Sequence, residues 1–382
     1  MRLWEESNRL ELGSAKSLMG CRVLYVIGQL GSGGSERQLY YLLKNMDRKH
    51  YQPELVVWNF RETDTYVSKI RALDVPLHSF PTPCSRTVKL TSFRRIVKQI
   101  RPEVVHSYSF HTNFAVYWAT RGIKSIPIGA VRSDLDWAKK GTGPLLGRLS
   151  ARWPRKQIFN SYAAAQAALR SKSAFAPRLC LVVRNGLDLE YFHSLPLSTN
   201  GTVRIVGIGS LFPVKRWDRL TMAALPLKKR GLDFHIRIVG DGSLRASLKQ
   251  HAQDLGVGDC VEFSGYADDV PRLLAEATFA VHTANAEGCP NGVMEAMSCG
   301  RAVVSTNVGD VPYLIEEGKT GFVVHAEDHA MLIERMATLI GDRNLCCSMG
   351  KAARAKAERE FGLDRFLSEN FDAYTAAGWK DS

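Results

Sequence analysis

"TFAVHTANAEGCPNGVMEAMSCGRAVVST", Thr278 to Thr306, carries a complete strand–loop–helix–strand unit. "TFAVHTA" and "RAVVST" are short apolar, β-branched runs of the kind that form buried strands. Between them "GVMEAMSCG" reads as a helix closed by Gly300, because glycine takes the left-handed turn after a helix most readily. Two carboxylates bracket the kink that enters this helix. Glu287 lies on the loop and Glu295 falls one turn into the helix. Asn291 and Gly292 stand at the helix start, where unpaired N–H groups favour an anion. Val293, Met294, Ala296 and Met297 make the helix apolar nearly all round, so a carboxylate at 295 needs partners. From this stretch alone the two acids are open to four readings: a catalytic pair, a metal clamp, ligand hooks or helix-end charges.

The same unit recurs along the chain. "CRVLYVIGQL", "PELVVWN", "VPLHSF", "EVVHSYS", "IPIGAVR", "KQIFNS" and "CLVVRNG" read as strands separated by helix-period segments such as "SFRRIVKQI" and "AAAQAALR". A polar, turn-rich break follows at "LDLEYFHSLPLSTNGT", Leu187 to Thr202. The rhythm then restarts with "VRIVGIGS", "FHIRIVGDG", "CVEFSGY", "FAVHTA" and "RAVVSTN". Alternating strands and helices predict an α/β protein of two doubly wound, Rossmann-like domains with parallel sheets. The expected boundaries are an N-terminal extension over 1–20, a first domain over 21–195, a second over 196–360, and a C-terminal helix over 361–382 that packs back on the first domain. Ligands of such sheets bind outside the carboxyl ends of the strands, so two facing sheets put the site in the cleft between them.

Size and charge are compatible with this. The chain has 382 residues, 45% of them hydrophobic, enough for two cored domains. No apolar run approaches the ~18 residues a membrane span requires, and the first twenty residues lack the apolar segment of a secretory signal. Eight cysteines, none in a C-x-x-C pair, are expected to be reduced thiols of a cytosolic protein. The net charge of +13 is lopsided: residues 1–199 hold 30 Lys+Arg against 14 Asp+Glu, the remainder 21 against 24. "RTVKLTSFRRIVKQIR" (Arg86–Arg101) and "WAKKGTGPLLGRLSARWPRK" (Trp137–Lys156) concentrate the excess. Solvated helix faces would explain them, and so would a surface for polyanions such as anionic lipid headgroups. With no recognised binding motif and no aromatic–basic interleaving, nucleic acid is not expected as a partner.

Three further strand-to-helix turns could join Glu287 and Glu295. In "GQLGSGGSER", Gly33 and Gly34 let backbone N–H groups approach a phosphate at a helix start, although a tight structural turn needs the same residues. The spacing matches neither a dinucleotide fingerprint nor a P-loop. In "GIGSLFPVKRWDRL", Lys215 and Arg216 lie on the loop, either as diphosphate cations or as solvated charges. "VGDGSLRASL" and "FSGYADDVPRLL", with Gly265 and Tyr266, open at the same edge, where backbone could hold a base and ribose.

Taken together these segments resemble the family-4 retaining glycosyltransferases of the GT-B fold, whose E-x7-E signature matches Glu287 to Glu295. "GSGGSERQL" is similar to the family's Gly-Gly-x-Glu-Arg loop, and "VVRNGLDLEYF" to its interdomain Asn-Gly-x-Asp motif. "GSLFPVKRWDRLTMA", "VGDGSLRASL", "EFSGYADDVPRLLAEA" and "AMSCGRAVVSTNVGDVPYLI" follow in family order, so the resemblance covers about residues 21–375. It implies that the second domain binds a nucleotide-diphosphate-sugar and the first an acceptor. Glu295 would hold the ribose hydroxyls. Glu287 would hold the transferred sugar, surrounded by the backbone of Gly288, Cys289, Pro290, Asn291 and Gly292. Lys215 would neutralise the diphosphate, with the Gly33–Gly34 loop closing over it. It implies catalytic roles for Glu287 and for a first-domain histidine: where the family often has His-x-His this chain has His106 but Tyr108, and the Phe-His-x-Asn of a related branch matches His111 with Asn113, the preferred residue. The implied transfer keeps the anomeric configuration by same-face departure and attack, and needs no metal and no cofactor besides the sugar nucleotide.

The sequence departs from the family pattern at three places. Ser210 stands where an arginine is common, with Arg216 as the compensating cation. Asp310 and Tyr313 replace the usual Gly and Glu of a Gly-Gly-x-Pro-Glu motif. Gly288-Cys289-Pro290 replaces Gly-Phe-Gly. "RSDLDWAKK" also offers Asp134 and Asp136 at a spacing that can hold a divalent cation. The two-domain rhythm favours loop capping or an acceptor contact for them instead. The implied function is sugar transfer to a cell-surface glycan, on a lipid-linked acceptor, by a cytoplasmic protein that can sit on the inner membrane face. The alternative on the same scaffold is a nucleotide-sugar 2-epimerase, which would leave the basic first domain unexplained.

Overall fold

The structure is a computed structural model that describes residues 20–380 apart from 82, 171–175 and 198–199. The extension expected over 1–20 lies, except for Gly20, outside the described residues. The strands are β1 Cys21–Ile27, β2 Tyr51–Val57, β3 Leu77–His78, β4 Val104–Ser107, β5 Ile126–Val131, β6 Lys156–Phe159 and β7 Leu179–Val182. The second set comprises β8 Val203–Ile208, β9 Phe234–Val239, β10 Val261–Gly265, β11 Phe279–His282, β12 Ala302–Thr306 and β13 Gly321–Val324. Among the described residues they form two sheets, ordered β3-β2-β1-β4-β5-β6-β7 and β10-β9-β8-β11-β12-β13. Neighbouring strands pair in parallel. Helices cover both faces, which is why the central strands are apolar runs, not alternating patterns. Each sheet therefore has the Rossmann-like doubly wound form read from the sequence.

Strand order reverses between β1 and β4 in one sheet and between β8 and β11 in the other. At those points successive connections leave to opposite faces and open a crevice at the carboxyl ends. The loops that matter start there: Gly28–Gly33 after β1, Gly209–Arg216 after β8, and Thr283–Pro290 after β11. The helices they enter are Gly34–Asn45, Trp217–Lys229 and Asn291–Ser298.

Two elements were not anticipated. β13, Gly321–Val324, pairs with β12 as an edge strand. The break read from Leu187 onward is not loose at its start. Leu187 and Phe192 are buried in a cluster with Val293, Met297 and Phe361 of the second domain. The chain returns through Gly362, which bridges Leu187. Helix Leu363–Ala376 then buries Phe366, Ala373 and Tyr374 against Tyr25 and Leu39. The Tyr374 hydroxyl meets that of Tyr25 at 2.8 Å and Nδ1 of His106 at 3.0 Å. This crossing leaves no room at Gly186, where a Cβ would stand 2.5 Å from that of Phe366.

Candidate functional site

A cavity of about 560 Å³ opens between the two sheets at the switch points. The first domain lines it with Gly33, Gly34 and Arg37, the second with Ser210, Lys215, Tyr266, Glu287, Gly288, Cys289, Asn291, Gly292 and Glu295. Packing at the helix start is tight. A Cβ on Gly292 would meet the Ile208 carbonyl at 2.9 Å, and one on Gly34 would meet Nδ2 of Asn291 at 2.5 Å. The junction residue Asn185 fixes this end: its Nδ2 donates to the Cys289 carbonyl at 3.1 Å and to Oδ1 of Asn291 at 2.8 Å. Behind it, the Gln38 amide is paired with both backbone groups of Gly186, each at 2.8 Å.

The two acids have separate partners. Glu295 is 2% exposed and forms an ion pair across the cleft with Arg37, in the first turn of the Gly34–Asn45 helix. Burial would lower the Arg37 pKa, but the charge and hydrogen bond of Glu295, joined by Tyr41 and Tyr66, together outweigh it and hold the guanidinium protonated. Glu287 forms an ion pair with Lys215 and a hydrogen bond with Nε2 of His282 at 3.1 Å. Burial pushes its carboxyl up, yet Lys215 and His282 together outweigh burial and bring it down to about 2. The Lys215 carbonyl accepts from Thr283 Oγ1 at 3.0 Å, which ties the β8 loop to the β11 loop. The Glu36 carboxyl folds back toward Gly33, and burial raises it to about 7.

Several expected residues stand elsewhere. Arg216 does not reach the cavity wall. It takes a left-handed φ of 51° and turns its guanidinium to Asp218, at 2.9–3.1 Å, so it does not replace the missing arginine at Ser210. Pro290 is the residue before the helix, and Gly265, at φ 81°, makes the turn behind Tyr266; neither lines the cavity. Cys289 lines the cavity. Its thiol is buried against Met294 Sδ at 3.4 Å, and burial raises it to about 12. His111 sits on the 3-10 turn Phe110–Thr112 over Gly28, and is exposed, not part of the cavity wall. Asp134 caps the Leu135–Thr142 helix by accepting from the Trp137 N–H at 2.9 Å, and Asp136 pairs with Lys139. Among the described residues no cluster of three or more His, Cys, Asp or Glu is gathered as a metal site.

Asp310 and Tyr313, the departures from the family pattern, join the two domains. Asp310 Oδ1 accepts from the Ala163 N–H at 3.0 Å, and the Tyr313 hydroxyl accepts from Gln166 at 3.1 Å. Sequence reasoning also passed over Arg37, Arg132, Asn160 and His282. Each lies inside or at the end of a quoted motif, but only the folded chain shows what it faces.

These features define a two-domain α/β protein of the GT-B type with a charged interdomain cleft. The glycosyl transferases group 1 family model matches residues 196–356 and the glycosyltransferase family 4 model matches residues 32–191. The chain belongs to the family-4 glycosyltransferases. It is 31% identical over 189 residues to the amylovoran biosynthesis glycosyltransferase AmsK of Erwinia amylovora, covering 47% of this chain and 46% of that protein. It is 33% identical over 204 residues to the GDP-mannose-dependent alpha-(1-6)-phosphatidylinositol monomannoside mannosyltransferase of Mycolicibacterium smegmatis, covering 48% and 53%. The matches span about half the length of these curated relatives. In fold it superposes on Anabaena HepE in complex with UDP-glucose, with a TM-score of 0.79 at 18% identity over 93% of this chain and 99% of that one.

Proposed function

We propose that the protein is a retaining glycosyltransferase that moves a sugar from a nucleoside-diphosphate sugar to a lipid-linked cell-surface glycan on the cytoplasmic face of a membrane. One observation carries this: a buried carboxylate, Glu295, opens into the cavity one turn inside a helix whose start faces a glycine loop of the other domain. A ribose offers two hydroxyls to such a carboxylate, and the adjoining diphosphate meets the helix start. Lys215, held beside Glu287, supplies positive charge where the leaving diphosphate develops negative charge. Glu287, ionised throughout the physiological range, accepts hydroxyls of the transferred sugar and is unsuited to donate a proton. In this assignment Lys215, the helix start and the Gly33–Gly34 backbone neutralise the diphosphate without a metal.

For the acceptor, the relatives' names supply polysaccharide and phosphoinositide classes. No helix among the described residues is long and apolar enough to cross a membrane. The first domain instead exposes Trp137 and Leu145 in a segment that also carries Lys139, Lys140 and Arg148, a combination that suits an anionic bilayer surface.

The test is a thermal-stability screen across nucleotide sugars, followed by transfer assays with the donor that stabilises most. A ligand at about 100 times its Kd adds ~2.7 kcal/mol. A transferred sugar with the donor's anomeric configuration supports the proposal, and an inverted product contradicts it. Donor incubated alone should give hydrolysis at most. A new nucleotide sugar would instead show a 2-epimerase.

A further inference from the structure

The cations on the cavity wall differ in what they already hold. Arg37 is paired with Glu295 and Lys215 with Glu287. Lys69 is exposed, its ammonium 5.1 Å from the Tyr66 ring centroid. Arg132, directly after β5, is of another kind. Its guanidinium lies 3.5 Å from the Tyr108 ring centroid, and Nε, Nη1 and Nη2 are all shielded from water. Among the described residues these nitrogens have no hydrogen-bond partner, and no carboxylate lies within ion-pair distance. A ring face compensates a desolvated guanidinium only in part. Five N–H donors in a planar fork are thus left over at the wall of a ligand cleft.

Their position in the cleft limits what they can meet. Asn160, at the end of β6, donates from Nδ2 to the Arg132 carbonyl at 3.3 Å. Its carboxamide lies against Gly288, where a Cβ would stand 3.1 Å from Cγ of Asn160. Oδ1 of Asn160 is likewise buried without a partner. The contacts therefore run in order from Glu295, through Asn291 with Gly34, to Gly288 with Asn160 and the backbone of Arg132, a residue of the same cavity wall whose side chain lies on Tyr108. On the functional proposal above the first two are the ribose and diphosphate ends, which leaves Arg132 at the end where transferred sugar and acceptor meet.

We propose that Arg132 is a specificity-determining residue that receives an oxyanion at this end, a carboxylate or phosphate carried by the transferred sugar or by the acceptor sugar. The guanidinium fork matches either group in two parallel hydrogen bonds, and Tyr108 holds its plane. Neutral ligands leave those donors unmatched and bind more weakly. The inference rests on the donor site lying along Glu295 and Asn291.

Calorimetric titration of the full chain separates the two sources. One arm compares UDP-glucose with UDP-glucuronate. The other compares glucose with glucuronate and glucose 6-phosphate at saturating UDP. A charge-assisted bidentate contact is expected to favour the acidic ligand by about 10-fold or more in one arm. Arg132→Gln should abolish that preference while UDP binds as before, which also shows that the variant is folded. Arg132→Lys, which keeps the charge and loses the fork, should retain part of it. Equal binding of neutral and acidic ligands in both arms, or a preference that survives Arg132→Gln, overturns the proposal. Wild type that binds neither UDP nor GDP contradicts the donor site itself, and the role of Arg132 falls with it.

Discussion

At the scale of single residues, Glu287 shows how charge is set by neighbours. Its ordinary value is 4.5, and Lys215 and His282 bring it down to about 2 despite burial. The folded state thus favours the carboxylate. Its contribution to stability is fully present above about pH 4.5 and is lost as the pH falls toward 2, on the order of 3 kcal/mol in total. Glu287→Gln should be less stable at pH 7, because Lys215 loses its counter-charge in a largely buried position. The same variant should lose less than wild type when urea midpoints are compared between pH 5 and pH 3. Parallel acid slopes would mean that the pair does not govern this limb. The site residues were legible in the sequence to the extent that motif spacing reveals them. Glu287, Glu295, Lys215 and the Gly33–Gly34 loop do line one cavity. The pairing of Arg37 with Glu295 spans 258 positions, and no local pattern encodes it. The turn of the Arg216 side chain to Asp218 is not legible, because a loop sequence does not show where a left-handed residue aims its side chain.

At the scale of elements, the helix Asn291–Ser298 and the Gly-rich loop approach each other so closely that side-chain volume decides the geometry. Gly34→Ala places a methyl against Asn291, whose own amide is held by Asn185. Both domain cores remain untouched, so the midpoint of thermal unfolding should change little. Nucleoside-diphosphate affinity should fall about 10-fold, equivalent to ~1.4 kcal/mol. Unchanged affinity by calorimetry would remove the loop from the binding site. The strands of both sheets were legible because each is an apolar run followed by glycine or polar punctuation. The edge strand β13, Gly321–Val324, was not read as one. The buried Leu187 and Phe192 were hidden in a segment whose other residues are polar, and burial there depends on the distant Phe361.

At the scale of the whole molecule, two sheets present their switch points to one cleft, and the C-terminal helix clamps the first domain after the chain has built the second. The basic surplus lies on the first domain, where Trp137 and Leu145 are exposed. Liposomes containing anionic lipid should therefore sediment the protein at low salt, with each well-placed Lys or Arg contributing ~1 kcal/mol. Trp137→Ser combined with Leu145→Ser should weaken this without altering donor affinity, and sedimentation indifferent to lipid charge would contradict membrane docking. The central claim is that the cleft binds a nucleoside-diphosphate sugar with its ribose on Glu295. The most direct measurement is calorimetric titration of wild type and Glu295→Ala with the nucleoside diphosphate that stabilises wild type most. Loss of a buried charge-assisted contact predicts a Kd at least ~10-fold weaker for the variant, with an unchanged far-UV circular dichroism spectrum. A Kd equal to that of wild type would place the ribose elsewhere and contradict the account.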